Sequence, residues 1–105
     1  MRYSIELAPG AIRDLRQLSA FERTQVRSAI EKHLRHEPEK VSKSRIKRLR
    51  GLRRPQYRLR VGEIRVFYDV SSSRVEVLAI ISKAQTAKWL GTEGVEHEEG
   101  STGED

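Results

Sequence analysis

Apolar and polar residues alternate from residue 57 to residue 70, on both sides of the pair Gly62-Glu63. Alternation with a period of two is the pattern of a strand that buries one face. A two-residue turn with glycine in its first position joins two such strands into a tight hairpin. In the register that this turn sets, Arg60 lies opposite Arg65. The chain is therefore predicted to contain an antiparallel hairpin.

A third apolar segment extends this hairpin to a three-stranded meander. If residues 71 to 74 form a four-residue loop, Val70 pairs with Val75 and the neighbouring strands bury the same face. The apolar face of the third strand then consists of Val75, Val77, Ala79 and Ile81. On the opposite face, Leu78 and Ile80 lie beside Phe67 and form a partly apolar floor.

The first forty residues predict one strand and two helices. Residues 2 to 7 alternate like a strand, and Pro9-Gly10 interrupts that pattern. Apolar residues then recur at helical spacing in two groups, which are Ala11, Ile12, Leu15 and Leu18, and Val26, Ala29, Ile30 and Leu34. Between the groups Ser19 and Glu22 fit a capping box, and Pro38 closes the second helix.

A short helix from Lys83 to Leu90, ended by Gly91, completes the predicted elements. Their order is strand, helical hairpin, antiparallel meander and short C-terminal helix. We expect an α+β fold in which the helical hairpin covers one face of the sheet. Residues 1–91 are assigned to one domain, and residues 92–105 are expected to form an acidic, disordered tail.

Cysteine is absent, and no segment reaches the roughly 18 apolar residues that cross a membrane. Nothing in the composition therefore points to disulfide bonds, an oxidising compartment or a membrane partner. The opening residues, Met1 to Ile5, alternate instead of forming an apolar signal segment. We expect a cytoplasmic protein.

Positive charge is concentrated between Lys40 and Arg65. Eleven basic residues in this segment accompany a single acid, Glu63. The basic residues are Lys40, Lys43, Arg45, Lys47, Arg48, Arg50, Arg53, Arg54, Arg58, Arg60 and Arg65. An ordinary solvated surface mixes both signs of charge. A segment this one-sided predicts a polyanionic partner.

Three arginines of the hairpin are expected on the face away from the helices. Arg60 lies opposite Arg65, and Arg58 lies opposite Phe67. Like charges opposite each other destabilise a hairpin, and a phosphate held by the planar donor fork of arginine removes that conflict. Phe67 is placed to stack on a base. An outward arginine contributes little to the core, so these residues are expected to matter for binding more than for folding.

Plainer interpretations of the same residues stay open. In the first of these interpretations, the arginines pair with Asp69 and Glu76 on a solvated sheet face. In the second, Phe67 packs against neighbouring side chains and does not stack on a base. His33 and His36, one turn apart on the second helix, belong to a solvated helix face and not to a metal site.

The segment Leu49-Arg50-Gly51 and the segment from Tyr57 to Val70 closely resemble the core signature of the RelE/ParE toxin superfamily. The second segment joins a tyrosine-basic-leucine-basic strand through a turn to a central arginine. The resemblance covers most of residues 1–90, and the predicted order of elements agrees with that fold. It implies a toxin of a type II toxin-antitoxin system, with a cognate antitoxin as its partner.

For a RelE-like toxin, the resemblance implies an mRNA interferase, which is a ribosome-dependent endoribonuclease that needs neither metal nor cofactor. Basic residues on its sheet hold mRNA in the ribosomal A site while a 2′-hydroxyl attacks the adjacent phosphate. Arg65 occupies the position of the arginine that stabilises the transition state, and Lys83 replaces a terminal arginine. The expected catalytic residues are Arg60, Arg65 and Lys83. The expected RNA-binding residues are Lys47, Arg50, Arg53, Arg54, Arg58, Phe67 and Trp89.

The resemblance is incomplete near the C-terminal helix. The RelE pattern has a tyrosine for proton transfer six residues after the terminal arginine. This chain has Trp89 there, and an indole has no proton to transfer at neutral pH. A ParE-like inhibitor of DNA gyrase, which lacks the nuclease residues, is therefore the second expectation. An inactive nucleic-acid-binding relative is the third.

Overall fold

The computed structural model describes residues 2–96, so most of the predicted tail lies outside the described residues. The strands are β1 (Ser4–Leu7), β2 (Ile46–Arg48), β3 (Leu52–Arg54), β4 (Tyr57–Val61), β5 (Ile64–Ser71), β6 (Arg74–Ser82) and β7 (Val95–Glu96). The helices are α1 (Pro9–Gln17), α2 (Ala20–Leu34) and α3 (Thr86–Glu93), and one 3₁₀ turn spans Lys83–Gln85.

Five of these strands form a mixed sheet in the order β1-β6-β5-β4-β2. Strands β4, β5 and β6 are the predicted antiparallel meander, and β2 pairs antiparallel with β4. Strand β1 runs parallel to β6. The strand, helical hairpin, meander and short C-terminal helix confirm the predicted α+β fold.

Helix α1 begins at Pro9, two residues before the predicted helical spacing starts, whereas α2 begins at its predicted capping box. Pro9 occupies the first turn of α1, where its missing N–H has no helical partner to lose. The Ser19 hydroxyl accepts a hydrogen bond from the Glu22 N–H, and the Glu22 carboxylate accepts one from the Ser19 N–H. This is the predicted capping box of α2. No helix within residues 2–96 is long and apolar enough to cross a membrane.

The helical hairpin buries its apolar stripe against one face of the sheet. Ala11 and Leu15 of α1 and three residues of α2 join a core cluster with the inward residues of the strands. The three residues of α2 are Val26, Ile30 and Leu34. Tyr68 lies at the centre of β5, where its ring stacks on Tyr57 and its hydroxyl donates a 2.6 Å hydrogen bond to the Pro38 carbonyl. Burial raises the pKa of Tyr68, so its hydroxyl stays a donor.

A β-bulge in β6 changes the face on which the end of this strand points. The expected pairs of Val70 with Val75 and Tyr68 with Val77 are present, but Phe67 pairs with Ala79. Leu78 is the extra residue, and the Asp14 carboxylate of α1 accepts a 3.0 Å hydrogen bond from the Ile80 N–H beyond it.

The predicted faces of three residues of β6 are therefore wrong. Ile80 belongs to the core cluster beneath the helices. Ala79 and Ile81 lie on the opposite face, opposite Phe67 and Arg65 respectively. Ile80 is therefore not part of the expected floor beside Phe67, and Ala79 and Ile81 lie on that face instead.

The C-terminal helix extends beyond its expected end. Helix α3 continues past Gly91 to Glu93, so the expected division between residues 91 and 92 falls inside a helix. Val95–Glu96 then pairs with β3 to form a separate two-stranded sheet. Residues 97–105 lie outside the described residues, and their disorder stays a prediction.

Candidate nucleic-acid interface

Three arginines gather on the sheet face opposite the helical hairpin, and we call Arg58, Arg60 and Arg65 the arginine cluster. The predicted register is present, with Arg60 opposite Arg65 and Arg58 opposite Phe67. Strand β2 places Lys47 opposite Arg58. Because side chains alternate along each strand, all these residues share one face. The structure thus brings four of the predicted cationic residues together.

Arg65 is the most enclosed member of the cluster, with 7% of its surface exposed. Its Nη1 donates hydrogen bonds to the carbonyls of Gly62 at 2.8 Å and Ile64 at 3.1 Å. Both bonds fix the guanidinium over the hairpin turn. These bonds indicate that Arg65 also stabilises the hairpin turn, so its contribution to folding is open to a direct stability measurement.

Arg58 is half-buried, and its Nε is a buried nitrogen without a hydrogen-bond partner within residues 2–96. Burial lowers the pKa of Arg58, and the positive charges of Arg65 and Arg60 lower it further. A negative charge next to Arg58 would offset the neighbouring positive charges. Within residues 2–96 the positive charge of the cluster is left unbalanced.

The acids of this face lie at its other end, where they are already paired. Asp69 and Glu76 face each other across β5 and β6, and Arg54 contacts them at 3.6 Å and 3.5 Å. Asp69 also accepts a 2.7 Å hydrogen bond from the Gln56 N–H. Burial raises the pKa of Asp69, while this bond and Arg54 oppose the rise. We call Arg54, Asp69 and Glu76 the paired end.

The two groups are well separated along the sheet. Asp69 follows Arg65 by four residues of an extended strand, which span about 13 Å. Among residues 2–96, no carboxylate lies within ion-pairing distance of Arg58, Arg60 or Arg65. The interpretation in which Asp69 and Glu76 neutralise these arginines is therefore wrong.

Phe67 is completely buried and is not open to a base. Trp89 of α3 stacks on its ring at a centroid distance of 5.1 Å and an interplanar angle of 22°. The expectation that Phe67 stacks on RNA is replaced by packing beneath this helix. Trp89 is half-buried and is the aromatic residue that reaches the surface here. It anchors α3 on the sheet beside the arginine cluster.

The remaining predicted residues lie at two ends of the face. Lys83 is exposed, and its N–H donates a 2.8 Å hydrogen bond to the Glu63 carbonyl, which places it beside the hairpin turn and Arg65. Arg50 and Arg53 are exposed around β3, at the opposite end of β4 from Arg60. Their side chains are not part of the arginine cluster.

Sequence reasoning did not single out Arg45, which lies next to the cluster. The Arg60 N–H donates a 2.8 Å hydrogen bond to the Arg45 carbonyl, so Arg45 continues the line of Arg60 and Arg65 past the start of β2. Its position two residues before Lys47, with the same period as the strand, was the available signal. The role of Asp14 was also not predicted. No pattern in the neighbouring sequence indicates that its carboxylate accepts the hydrogen bond of the Ile80 N–H beside the bulge.

The chemical capacity of this surface is that of an anion site built from guanidinium groups. Arg65 is preorganised by backbone hydrogen bonds, and Arg60 is exposed beside it. Such fixed positive charge stabilises negative charge that develops on a phosphate. The aromatic residue nearest the cluster at the surface is an indole, which does not exchange a proton near neutral pH.

A family described as "ParE toxin of type II toxin-antitoxin system, parDE" matches residues 5–87 of this chain. The chain belongs to the RelE/ParE toxin superfamily. The match runs from the second residue of β1 to the start of α3 and includes the strands that carry the arginine cluster. No curated protein matches the toxin in sequence.

Solved structures share the fold of the toxin. A chain of the toxin-antitoxin complex RelBE2 from Mycobacterium tuberculosis is 24% identical with a TM-score of 0.65, covering 78% of this chain and 99% of that one. A chain of the RelB-RelE complex from Methanococcus jannaschii is 18% identical with a TM-score of 0.61, covering 80% and 96%. A chain of the RelE-RelB complex from Pyrococcus horikoshii is 19% identical with a TM-score of 0.57, covering 81% and 99%. At these identities the likeness concerns the fold.

Proposed function

We propose that this type II toxin is a ribosome-dependent mRNA endoribonuclease whose arginine cluster binds the scissile phosphate. One observation carries the proposal. Three arginines share one face, no described carboxylate balances them, and one of them buries a nitrogen without a partner. A phosphodiester supplies the negative charge and the acceptors that this arrangement lacks.

The proposed reaction is an attack of the 2′-oxygen of one nucleotide on the phosphorus that follows it. The P–O bond to the 5′-oxygen of the next nucleotide breaks, which leaves a 2′,3′-cyclic phosphate and a 5′-hydroxyl. The 2′-hydroxyl loses its proton to solvent, and the departing 5′-oxygen takes one from solvent. Arg65 and Arg60 stabilise the added negative charge of the phosphorane-like transition state, and Lys83 contributes a further positive charge.

Trp89 occupies the position expected for a proton-transferring tyrosine, so electrostatic stabilisation and positioning make the main contributions to the rate. One preorganised donor to a developing oxyanion contributes about 10²–10³ to the rate constant. Alignment of the 2′-oxygen, the phosphorus and the departing 5′-oxygen raises the rate further, because little orientational entropy is then lost on reaching the transition state. Alignment of the message in the ribosomal A site provides that positioning in this proposal.

We further propose a cognate antitoxin as the partner of the toxin. The similar solved structures are toxin-antitoxin complexes. An acidic or amphipathic segment that folds on binding suits a basic face next to the half-buried apolar side chain of Ile81. Such a segment neutralises the arginine cluster while it is bound.

The test is a translation reaction programmed with one defined message, in which RNA ends are mapped by primer extension with and without ribosomes. The toxin is expected to cut only on ribosomes and to leave 5′-hydroxyl ends. Arg60→Ala should lower the rate at least tenfold, because this exposed arginine contacts the phosphate. The matched control is Arg27→Ala, which removes an exposed arginine from α2 and should cut like the wild type. Cutting by Arg60→Ala at the wild-type rate would rule out the role of the cluster.

Inhibition of DNA gyrase is the second candidate, and one observation favours it. The position expected for a proton-transferring tyrosine is occupied by Trp89, which packs on Phe67. A supercoiling assay with purified gyrase separates the candidates. Loss of supercoiling together with intact message on ribosomes would select gyrase and reject the nuclease.

A further inference from the structure

A second cationic surface lies beyond the β2 edge of the sheet. A cavity of about 190 Å³ opens between the C-terminal end of α2 and the loop formed by residues 39 to 45. Lys32 and His33 line it from the helix, and Lys40 and Arg45 line it from the loop. We call this cavity the α2 hollow. It is separate from the face that carries the arginine cluster.

Arg45 connects the α2 hollow to the arginine cluster. It also lines a shallow depression of about 210 Å³ together with Ser44, Arg60 and Gly62. The backbone of Arg45 is hydrogen-bonded to that of Arg60. A polyanionic strand that binds Arg60 and crosses the sheet edge therefore passes Arg45 first and then reaches the α2 hollow.

The loop that carries Arg45 is held in place by its own hydrogen bonds. The Ser42 hydroxyl accepts hydrogen bonds from the N–H groups of Arg45 at 3.0 Å and Ile46 at 3.2 Å. The Ser42 N–H donates to the Ile46 carbonyl at 3.0 Å. Because three bonds close this turn, Arg45 is presented from a fixed backbone. Little ordering entropy is then lost when it binds a ligand.

The charges around the α2 hollow favour an anion. Lys32, Lys40 and Arg45 outnumber the single acid that lines it, Glu37, which lies 3.7 Å from Lys40. The C-terminal end of a helix adds only about half a negative charge. Burial lowers the pKa of His33, and the positive charges of Arg45 and Lys32 lower it further.

We propose that the RNA strand held by the arginine cluster continues over the β2 edge, and that a second phosphate of the same strand occupies the α2 hollow. That the strand is RNA rests on the proposed function. The second phosphate site is inferred separately, from the cavity, the position of Arg45 and the surrounding charges. Arg45 contacts a phosphate of the strand at the point where the strand enters the hollow. The hollow binds the strand through its charge and sets how much RNA the toxin covers.

The first experiment measures binding of a fluorescently labelled single-stranded RNA of ten nucleotides by anisotropy, at several salt concentrations. Arg45→Ala should weaken binding about tenfold, because a charge-assisted hydrogen bond is lost. It should also lower the slope of log affinity against log salt by about one, as expected for one lost phosphate contact. Binding of a dinucleotide, which reaches only the arginine cluster, should not change. Arg27→Ala is the matched control and should affect neither RNA.

The second experiment follows the His33 ring by NMR in the full-length protein. Binding of the ten-nucleotide RNA should raise the pKa of His33, because a phosphate in the hollow favours the charged imidazolium. The dinucleotide should leave it unchanged. An unchanged His33 pKa with the longer RNA, or equal affinities of Arg45→Ala and Arg27→Ala, would overturn the second phosphate site.

Failure of the two proposals can be told apart. If message stays intact on ribosomes but the ten-nucleotide RNA still raises the pKa of His33, the α2 hollow stands and the nuclease is rejected. If message is cut but Arg45→Ala binds RNA like the wild type, the nuclease stands and the hollow is rejected.

Discussion

The two ends of the outward sheet face use the same type of residue in opposite ways. At the paired end, Arg54 contacts both Asp69 and Glu76. At the arginine cluster, Arg60 faces Arg65 across the hairpin, and no described residue provides a carboxylate. The first arrangement is complete within the protein, whereas the second needs a ligand to balance it. The difference indicates where on one continuous surface an anion binds.

Placing a carboxylate inside the cluster should produce the largest effect. Arg60→Glu gives Arg65 and Arg58 an internal partner, so the cluster comes to resemble the paired end. Cleavage of ribosome-bound message should fall by about a hundredfold or more, since a donor to the transition state becomes a competing acceptor. The free energy of unfolding should stay equal or rise by up to about 0.5 kcal/mol, because unlike charges now face each other. A stable variant that still cuts would remove the distinction between the two ends.

Arg65→Ala should affect both folding and cleavage. The carbonyls of Gly62 and Ile64 lose their donor, so the free energy of unfolding should fall by about 1–3 kcal/mol in urea denaturation. Arg65→Lys restores the charge without the planar fork and should recover part of the cleavage. Equal cleavage by the alanine and lysine variants would show that the charge at this position does not assist the reaction.

The β-bulge in β6 lies between the two ends, and Asp14 is the residue that holds it. Asp14→Ala should lower the free energy of unfolding by about 1–3 kcal/mol, because the Ile80 N–H loses its acceptor. Asp14→Asn keeps a side-chain oxygen and should lose less than half as much. The comparison is made by urea denaturation. An asparagine variant as unstable as the alanine variant would mean that this hydrogen bond does not stabilise the bulge.

Arg54→Ala should have the smallest effect. Arg54 is about half exposed, and ion pairs of this kind contribute roughly 0–1 kcal/mol. Thermal unfolding should change little, and cleavage should remain within about twofold of the wild type, since the charge of Arg54 is already balanced by Asp69 and Glu76. A loss of cleavage as large as that of Arg60→Ala would extend the binding surface to the paired end.

The parts of this fold that the sequence predicted are those set by local interactions. The Gly62-Glu63 turn determines the hairpin register, and with it the position of Arg60 opposite Arg65. The capping box of α2 needs only Ser19 and Glu22. The hairpin register and the capping box both depend on residues that are close in sequence, so they can be predicted without the tertiary structure.

The parts that the sequence did not predict depend on contacts between distant residues. Asp14 accepts the hydrogen bond of Ile80, which lies 66 residues away, and the resulting bulge moves Ala79 and Ile81 to the outward face. The alternating pattern places Phe67 on the outward face with the arginines. Trp89 nevertheless stacks on its ring and buries it. A period of two indicates which residues share a face but not which element later covers that face.

The most direct test of the account is the salt dependence of RNA binding by Arg60→Ala and Arg54→Ala, measured side by side with the same single-stranded RNA. Each variant removes one arginine whose side chain lies over the outward face of the five-stranded sheet. The account predicts that the slope of log affinity against log salt falls by about one for Arg60→Ala and stays unchanged for Arg54→Ala. Equal slopes for the two variants would contradict the claim that the unpaired arginines bind a phosphate that the paired one does not.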